Sequence, residues 1–368
     1  MGPEPAPLTT RAMPPEAVPS PAPGGRRRKG LLMRIFVVVF AFVFIFVESG
    51  AAWAASDGTI LTRETVSLAA DAPELAVRRS AGVVLERIVY ASDGLEVEGY
   101  LARPAGEIPE PLPGIIWNRG GNRDFGGLNP TRAALLLGRL AQRGYVVVAS
   151  NYRGNGEHGR RLYPPERTCP RGEAIGGKGR EEFGGAELRD VLALVPLLEA
   201  LPEADATRLG IYGWSRGGMM TYLALRESDR FKAAVVGGGV SDLGLAGEAR
   251  PKMIEHVFSE LIPGWQDPEQ RARAIEARSA ARWADELPAT TPLLLLHGTA
   301  DWRVSPQQAL AMASALLAAR RPFRLVMLEG GDHGLREHRD EVNRLVDAWL
   351  DRYLRDAAPL PDLEPHGQ

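Results

Sequence analysis

Leu209-Gly210-Ile211-Tyr212-Gly213-Trp214-Ser215-Arg216-Gly217-Gly218 is the stretch that decides how the rest of the chain is read. Residues 209–213 form a short apolar run of the kind that fills a buried strand. A serine that ends such a strand and opens a helix must hold a strained backbone conformation, and only small neighbours let the chain turn that sharply. Gly213 and Gly217 supply them, and Gly218 lets the following helix approach the sheet closely. Residues 216–226 continue as an amphipathic helix, so Ser215 stands at a helix N-terminus, where the dipole favours a developing alkoxide. The spacing alone is short enough to arise by chance. The strand before it and the helix after it make Ser215 a candidate nucleophile.

Outward from this turn, short apolar runs alternate with helical patterns, the mark of a mostly parallel sheet. Residues 115–117, 145–150 and 232–237 read as buried strands, with helices at 131–143 and 187–201. Residues 293–296 and 324–328 are the last strands, each followed by a helix. In the final helix Val342, Leu345, Val346, Trp349, Leu350, Tyr353 and Leu354 recur at the three-four spacing of one buried face. Upstream, 83–91 and 95–102 are β-rich runs joined at Ser92-Asp93-Gly94, a hairpin signal. The stretch 154–181 is a long loop rich in Gly, Arg and Glu, expected to be functional or disordered. Residues 242–287 form a charged, mostly helical excursion of cap size. The expected class is α/β: an α/β-hydrolase fold with a mostly parallel central sheet flanked by helices and a small helical cap insertion.

That fold requires an acid and then a histidine later in the chain, on loops after the last strands. Residues 293–296 run into His297-Gly298-Thr299-Ala300-Asp301-Trp302, and 324–328 into Gly330-Gly331-Asp332-His333-Gly334. Asp301 is the expected acid, orienting His333, and His333 the general base that takes the Ser215 proton. Asp242, after the strand at 232–237, is the rival acid. Asp332 reads as a loop-bracing carboxylate and His297 as a strand-end cap. A tetrahedral oxyanion needs two preorganised donors, and the backbone N–H of Arg216 is one by geometry. For the second, Asn118-Arg119-Gly120-Gly121 competes with Asn151-Tyr152-Arg153-Gly154.

Composition narrows the function classes. The 368 residues are 45% hydrophobic and 24% charged, which is ordinary globular composition, and a net charge of -2 gives no basic surface for nucleic acid. The single cysteine, Cys169, excludes an internal disulfide and any multi-cysteine metal site. It also lacks the strand-turn-helix setting that would activate its thiol. No dinucleotide glycine fingerprint, Walker loop or His-Glu-x-x-His helix occurs, so no cofactor or metal is expected.

Residues 1–54 read as a leader. Arg26-Arg27-Arg28-Lys29 precede an apolar run at 35–47. That run is short of the ~20 residues a membrane span needs, yet fits the roughly 7–15 of a signal-peptide core. Ala52-Trp53-Ala54 offers small residues at the positions a signal peptidase reads. The expectation is an exported protein, periplasmic or extracellular, with Met33 an alternative start. The competing reading is an uncleaved membrane anchor over 31–47. Lead-in strands at 55–112, a catalytic domain at 113–357 and a tail at 358–368 complete the division.

Five pieces of sequence occur in order: Asn151-Tyr152-Arg153-Gly154, Phe183-Gly184-Gly185 before a helix with Asp190, the turn at 213–218, His297-Gly298-Thr299-Ala300-Asp301, and Asp332-His333-Gly334. Over roughly residues 85–355 the chain thus resembles the catalytic domain of the prolyl oligopeptidase family of serine peptidases. The resemblance implies a hydrolase acting through an acyl-serine on short peptides or amides. It also implies that the Tyr152 hydroxyl donates to the oxyanion. Two departures bear on substrate. About 58 residues separate the expected mature start from the first parallel strand, too few for a propeller of at least four blades at ~40–45 residues each. Asn118-Arg119 also stands where the family often has a histidine before its glycines. Small propeller-less relatives, including the dienelactone-hydrolase-like group, often cleave esters. An esterase of small or acylated-carbohydrate esters is therefore the alternative, and an inactive binding protein on the same fold the remote one.

Overall fold

A computed structural model describes residues 55–162 and 179–367. The run at 35–47, the Ala52-Trp53-Ala54 motif, Cys169 and the middle of the 154–181 stretch lie outside the described residues. Among the described residues no helix is long and apolar enough to cross a membrane.

Among the described residues nine strands make one sheet, in the order β1-β2-β3-β5-β4-β6-β7-β8-β9. They are β1 (Ile60–Thr65), β2 (Val83–Ser92), β3 (Leu95–Pro104), β4 (Leu112–Asn118), β5 (Val146–Ser150), β6 (Ala204–Trp214), β7 (Phe231–Gly237), β8 (Leu293–Gly298) and β9 (Phe323–Leu328). The first three pair antiparallel and β3 runs antiparallel to β5, whereas every pair from β5 across to β9 is parallel. Ser92 pairs with Leu95, so Asp93 and Gly94, at φ 53° and 72°, form the two-residue turn that suits a twisted hairpin. β1 leaves no alternating signature because Leu61 to Thr65 are all exposed.

The parallel strands are covered on both faces, which is why they read as continuous apolar runs. In β4 the neighbours Ile115 and Ile116 are both fully buried, in separate cores on opposite sides of the sheet. The last helix, Arg339–Leu350, buries Val342, Val346, Trp349 and Leu350 in the same core as Ile115, continued by Tyr353 and Leu354.

Three departures from the expected elements have local causes. The helix expected at 187–201 is two, Leu188–Leu192 and Leu194–Glu199, because Pro196 has no N–H to offer the carbonyl of Leu192. The helix at 130–142 contains a π stretch, Ala134–Gly138, a local widening of the turn. Gly156–Leu162, expected to be irregular, is a helix with Glu157 in its first turn and Arg160 and Arg161 in its last, charges that suit its dipole.

Between β7 and β8 the chain makes helices Leu243–Ala249, Pro251–Met253 and Pro268–Ala277, followed by 3₁₀ turns. Asp242 and Asp267 cap the first and third by accepting from backbone N–H groups at 2.8–3.0 Å. β4 lies between β5 and β6 in the sheet, so the connections leaving it and entering β6 pass to opposite sides. The loops after β4 and β6 therefore part at the carboxyl edge and open the crevice where open α/β sheets bind their ligands.

Candidate active site

Ser215 follows β6 and opens the helix Arg216–Glu227 with φ 61° and ψ -124°, a backbone region that L-residues rarely adopt. Its N–H donates to the Gly237 carbonyl and its own carbonyl accepts from Gly218 N–H, both at 2.9 Å. A Cβ at Gly213 would run into the Gly217 carbonyl, and one at Gly217 into the Asn118 carbonyl. Steric exclusion on both flanks thus enforces the strained turn.

Asp301 and His333 come from the loops after β8 and β9. The Asp301 Oδ2 lies 2.7 Å from His333 Nδ1 and 3.4 Å from His297 Nε2, while Oδ1 accepts from the N–H groups of Arg303 at 2.8 Å and Val304 at 2.9 Å. Burial alone would raise its pKa. The hydrogen bonds from His297 and His333, joined by the Val304 N–H, outweigh burial and hold the carboxyl well below the usual carboxylate range. A charged carboxylate at Nδ1 assigns the proton to that nitrogen and leaves Nε2 as the acceptor. Ser215 and His333 line one cavity, with no hydrogen bond between their side chains among the described residues. Such bonds are commonly long before substrate arrives. The Trp214 indole Nε1 donates to the His333 carbonyl at 2.8 Å and so ties the histidine loop to the serine turn.

The rival acid is occupied elsewhere. Asp242 accepts from Arg282 at 2.7 and 3.1 Å and caps a helix, whereas Asp301 touches the histidine. His297, expected as a strand-end cap, is fully enclosed beside Asp301 with its Nε2 2.9 Å from the Val304 carbonyl. Asp332 accepts from Gly334 N–H at 2.7 Å within its own loop.

Tyr152 requires a correction. Its hydroxyl donates to the Arg119 carbonyl at 2.9 Å, its side chain is wholly buried, and it does not line the cavity. In this arrangement the hydroxyl is directed at a main-chain carbonyl beneath the loop and away from the cavity. Gly120, by contrast, lies directly against the serine: a Cβ there would sit 3.1 Å from Ser215 Cβ and 3.8 Å from Oγ. Of the two places open for the second donor, the structure brings the glycine loop to Ser215.

What holds that loop is a buried charge network that the sequence did not disclose. Arg119, Arg216, Glu181 and Glu187 are all buried. Arg216 pairs with Glu181 at 2.8 Å and with Glu187, and its Nη1 also donates to the Gly121 carbonyl at 2.9 Å. Arg119 donates to the Asn151 carbonyl at 2.8 and 3.0 Å and lies 3.6 Å from Glu181. Both guanidiniums lie over the Tyr152 ring, with centroid distances of 4.6 and 5.2 Å. Burial opposes ionisation of Glu187, but Arg216 and the N–H groups of Gly184 and Glu182 carry its pKa down to about 2. A second buried pair, Arg153 and Asp190 at 2.8 Å, braces the loop after β5.

The cavity measures about 740 Å³, within the usual range for small-molecule sites. Phe183, Val240, Met253, Phe258 and Val304 give it an apolar wall, two of them from the helical insertion. No group of three or more His, Cys, Asp or Glu that could hold a metal occurs among the described residues.

Residues 135–357 match the prolyl oligopeptidase family. The uncharacterized peptidase YtmA of Bacillus subtilis (strain 168) is 32% identical over 244 residues, covering 66% of this chain and 83% of YtmA. The uncomplexed acylaminoacyl peptidase of Pyrococcus horikoshii superposes with a TM-score of 0.61 at 25% identity, covering 77% of this chain. A Mycobacterium tuberculosis puromycin-hydrolyzing peptidase does so with a TM-score of 0.57 at 27% identity, covering 78%. The chain spans only 44% and 41% of those two proteins. With more than half its length matched by the family and its sheet and serine turn built as described, the chain belongs to the prolyl oligopeptidase family of serine peptidases.

Proposed function

We propose that this chain cleaves short peptides or amides through an acyl-serine intermediate, with Ser215 as nucleophile, His333 as general base and Asp301 as the acid that orients it. The observation that carries the reading is the His333–Asp301 contact at 2.7 Å, on the same cavity as a serine held at φ 61°. The Ser215 hydroxyl attacks the scissile carbonyl as its proton passes to His333 Nε2. Asp301 stabilises the resulting imidazolium without taking the proton. The oxyanion meets the N–H of Arg216 and a backbone N–H of the Gly120–Gly121 loop. Collapse breaks the C–N bond, the imidazolium protonates the departing amine, and water repeats the sequence on the acyl-serine.

The apolar wall suits a nonpolar side chain beside the bond cut. Family membership favours amide over ester substrates. A fluorophosphonate probe should label the wild type and not Ser215→Ala, and the variant should lose about 10⁴-fold or more in turnover of a peptide amide while melting normally. Retention of a tenth of the activity would remove Ser215 from the mechanism. Matched ester and amide substrates decide between the two leaving groups.

Export is part of the same proposal, supported by the apolar run at 35–47 and the Ala52-Trp53-Ala54 motif. The protein purified from its host should begin near Ala55 in a soluble extracytoplasmic fraction. An intact N-terminus in washed membranes would support the anchor over 31–47 instead.

A further inference from the structure

Eight arginines and no aspartate or glutamate line the cavity. Three of them are committed, Arg119 and Arg216 to Glu181 and Arg139 to Asp347. Arg250 and Arg303 are held differently. Arg303 stands two residues after Asp301 and braces it through its main-chain N–H, so its side chain springs from the acid loop itself. Arg250 comes from the helical insertion and donates its Nη1 to the Arg303 carbonyl at 3.2 Å. Both guanidiniums pack against Trp302, with centroid distances of 5.3 and 4.9 Å, and Arg303 also faces Phe125 at 6.0 Å. Trp302 and Phe125 are 67% and 63% exposed, so these stacked pairs are open to solvent.

Stacking occupies the faces of a guanidinium and leaves its N–H edge free for a planar, bidentate acceptor. Among the described residues neither arginine has a carboxylate partner. Burial first, and then the like charge of Arg303, lower the Arg250 pKa, and the Asp301 carboxylate offsets that repulsion only in part. An anion placed between them would relieve that repulsion and make two charge-assisted hydrogen bonds.

We propose that Arg250 and Arg303 form a carboxylate-recognition subsite of the catalytic cavity, selecting peptides that carry a carboxylate beside the scissile bond. The carboxylate is an acidic side chain or the free C-terminus of the peptide. The proposal deepens the peptidase reading above and rests on it for turnover. The side chain at 303 sets preference while its main chain serves the triad, so the two roles are separable by substitution.

The test uses peptide pairs differing only as Glu or Gln at each position flanking the cut, each made with a C-terminal acid and a C-terminal amide. Turnover is followed with the wild type, and binding by calorimetry with Ser215→Ala. The acidic member should be favoured by about tenfold or more in both kcat/KM and Kd. In Arg250→Gln/Arg303→Gln, and partly in Arg303→Gln alone, the ratio should fall to about one. Preference that follows the Glu assigns an acidic side chain, and preference that follows the acid end assigns the C-terminus. Equal handling of the charged and neutral members by the unsubstituted cavity, or a ratio unmoved by the double substitution, overturns the subsite. A carboxylate preference in binding, without turnover or fluorophosphonate labelling, would instead overturn the peptidase reading and leave the subsite standing.

Discussion

Exchanging Arg216 for Met keeps the length of the side chain and removes the cation on which Glu181 and Glu187 converge. Deleting one partner of a buried ion pair costs about 3–5 kcal/mol, because the remaining charge stays buried without its counterion. Two local features place this case near the lower end. Glu187 keeps the backbone N–H groups of Glu182 and Gly185, at 2.7 and 3.3 Å, and Glu181 keeps Arg119 at 3.6 Å. A loss of about 3 kcal/mol, at roughly 2 °C per kcal/mol for a domain of this size, lowers the melting temperature by about 6 °C. Adding Glu187→Gln should then cost less than the two single losses summed, with a coupling of about 1–2 kcal/mol. Kinetics carry a second signature. Arg216 also holds the Gly121 carbonyl at 2.9 Å, so kcat should drop about tenfold as the loop beside Ser215 slackens. Thermal unfolding of the four proteins, read by circular dichroism at pH 7, checks the first two figures. A shift under 2 °C with additive losses would mean that the network does not bear on stability.

Asp301→Asn should cut kcat by about 10⁴ by favouring the wrong imidazole tautomer, while Asp242→Asn loses stability and leaves kcat within a few-fold. The opposite pattern in a matched kinetic comparison would make Asp242 the acid. Tyr152→Phe removes a buried hydrogen bond to the Arg119 carbonyl, so it should cost about 1–2 kcal/mol and change kcat only a few-fold. A fall of about 10² in kcat with unaltered melting would return that hydroxyl to the oxyanion.

The parts legible in the sequence are those whose signal is local. Gly213, Ser215 and Gly217 lie within five residues, so local sterics alone point to the strand-turn-helix and the strained serine. Asp301 and His333 follow apolar runs in the order the sheet requires. Asp93 and Gly94 marked their hairpin because the type I′ turn needs positive φ at both positions, which Asp tolerates and Gly favours. What escaped was built from residues far apart. Arg119 meets Glu181, and Arg216 meets Glu187, only after the sheet has formed, and charged residues in a sequence read as solvated surface until burial is known. Trp214 reads as a strand-end aromatic, and nothing in its neighbourhood points to the His333 carbonyl. Tyr152 shows the opposite failure: a motif suggested a role, and the three-dimensional setting gave the hydroxyl to another acceptor. β1 was invisible because an edge strand exposed along its length shows no periodicity.

The bond from Trp214 to the His333 carbonyl closes a loop of 119 residues, and it has a consequence for when the protein becomes active. Of the nine described strands β9 is the last to emerge from the ribosome, and His333 arrives behind it. Every strand from β1 to β8 can pair beforehand, but a nascent chain at that stage holds a serine and an acid with no base between them. With the proposed triad, hydrolytic power therefore switches on only once β9 has docked and brought His333 to the cavity. During refolding, recovery of turnover should trail recovery of secondary structure, because closing so long a loop is among the costlier steps the chain takes. Chain order thus gives the nascent protein an interval in which the proposed triad is incomplete.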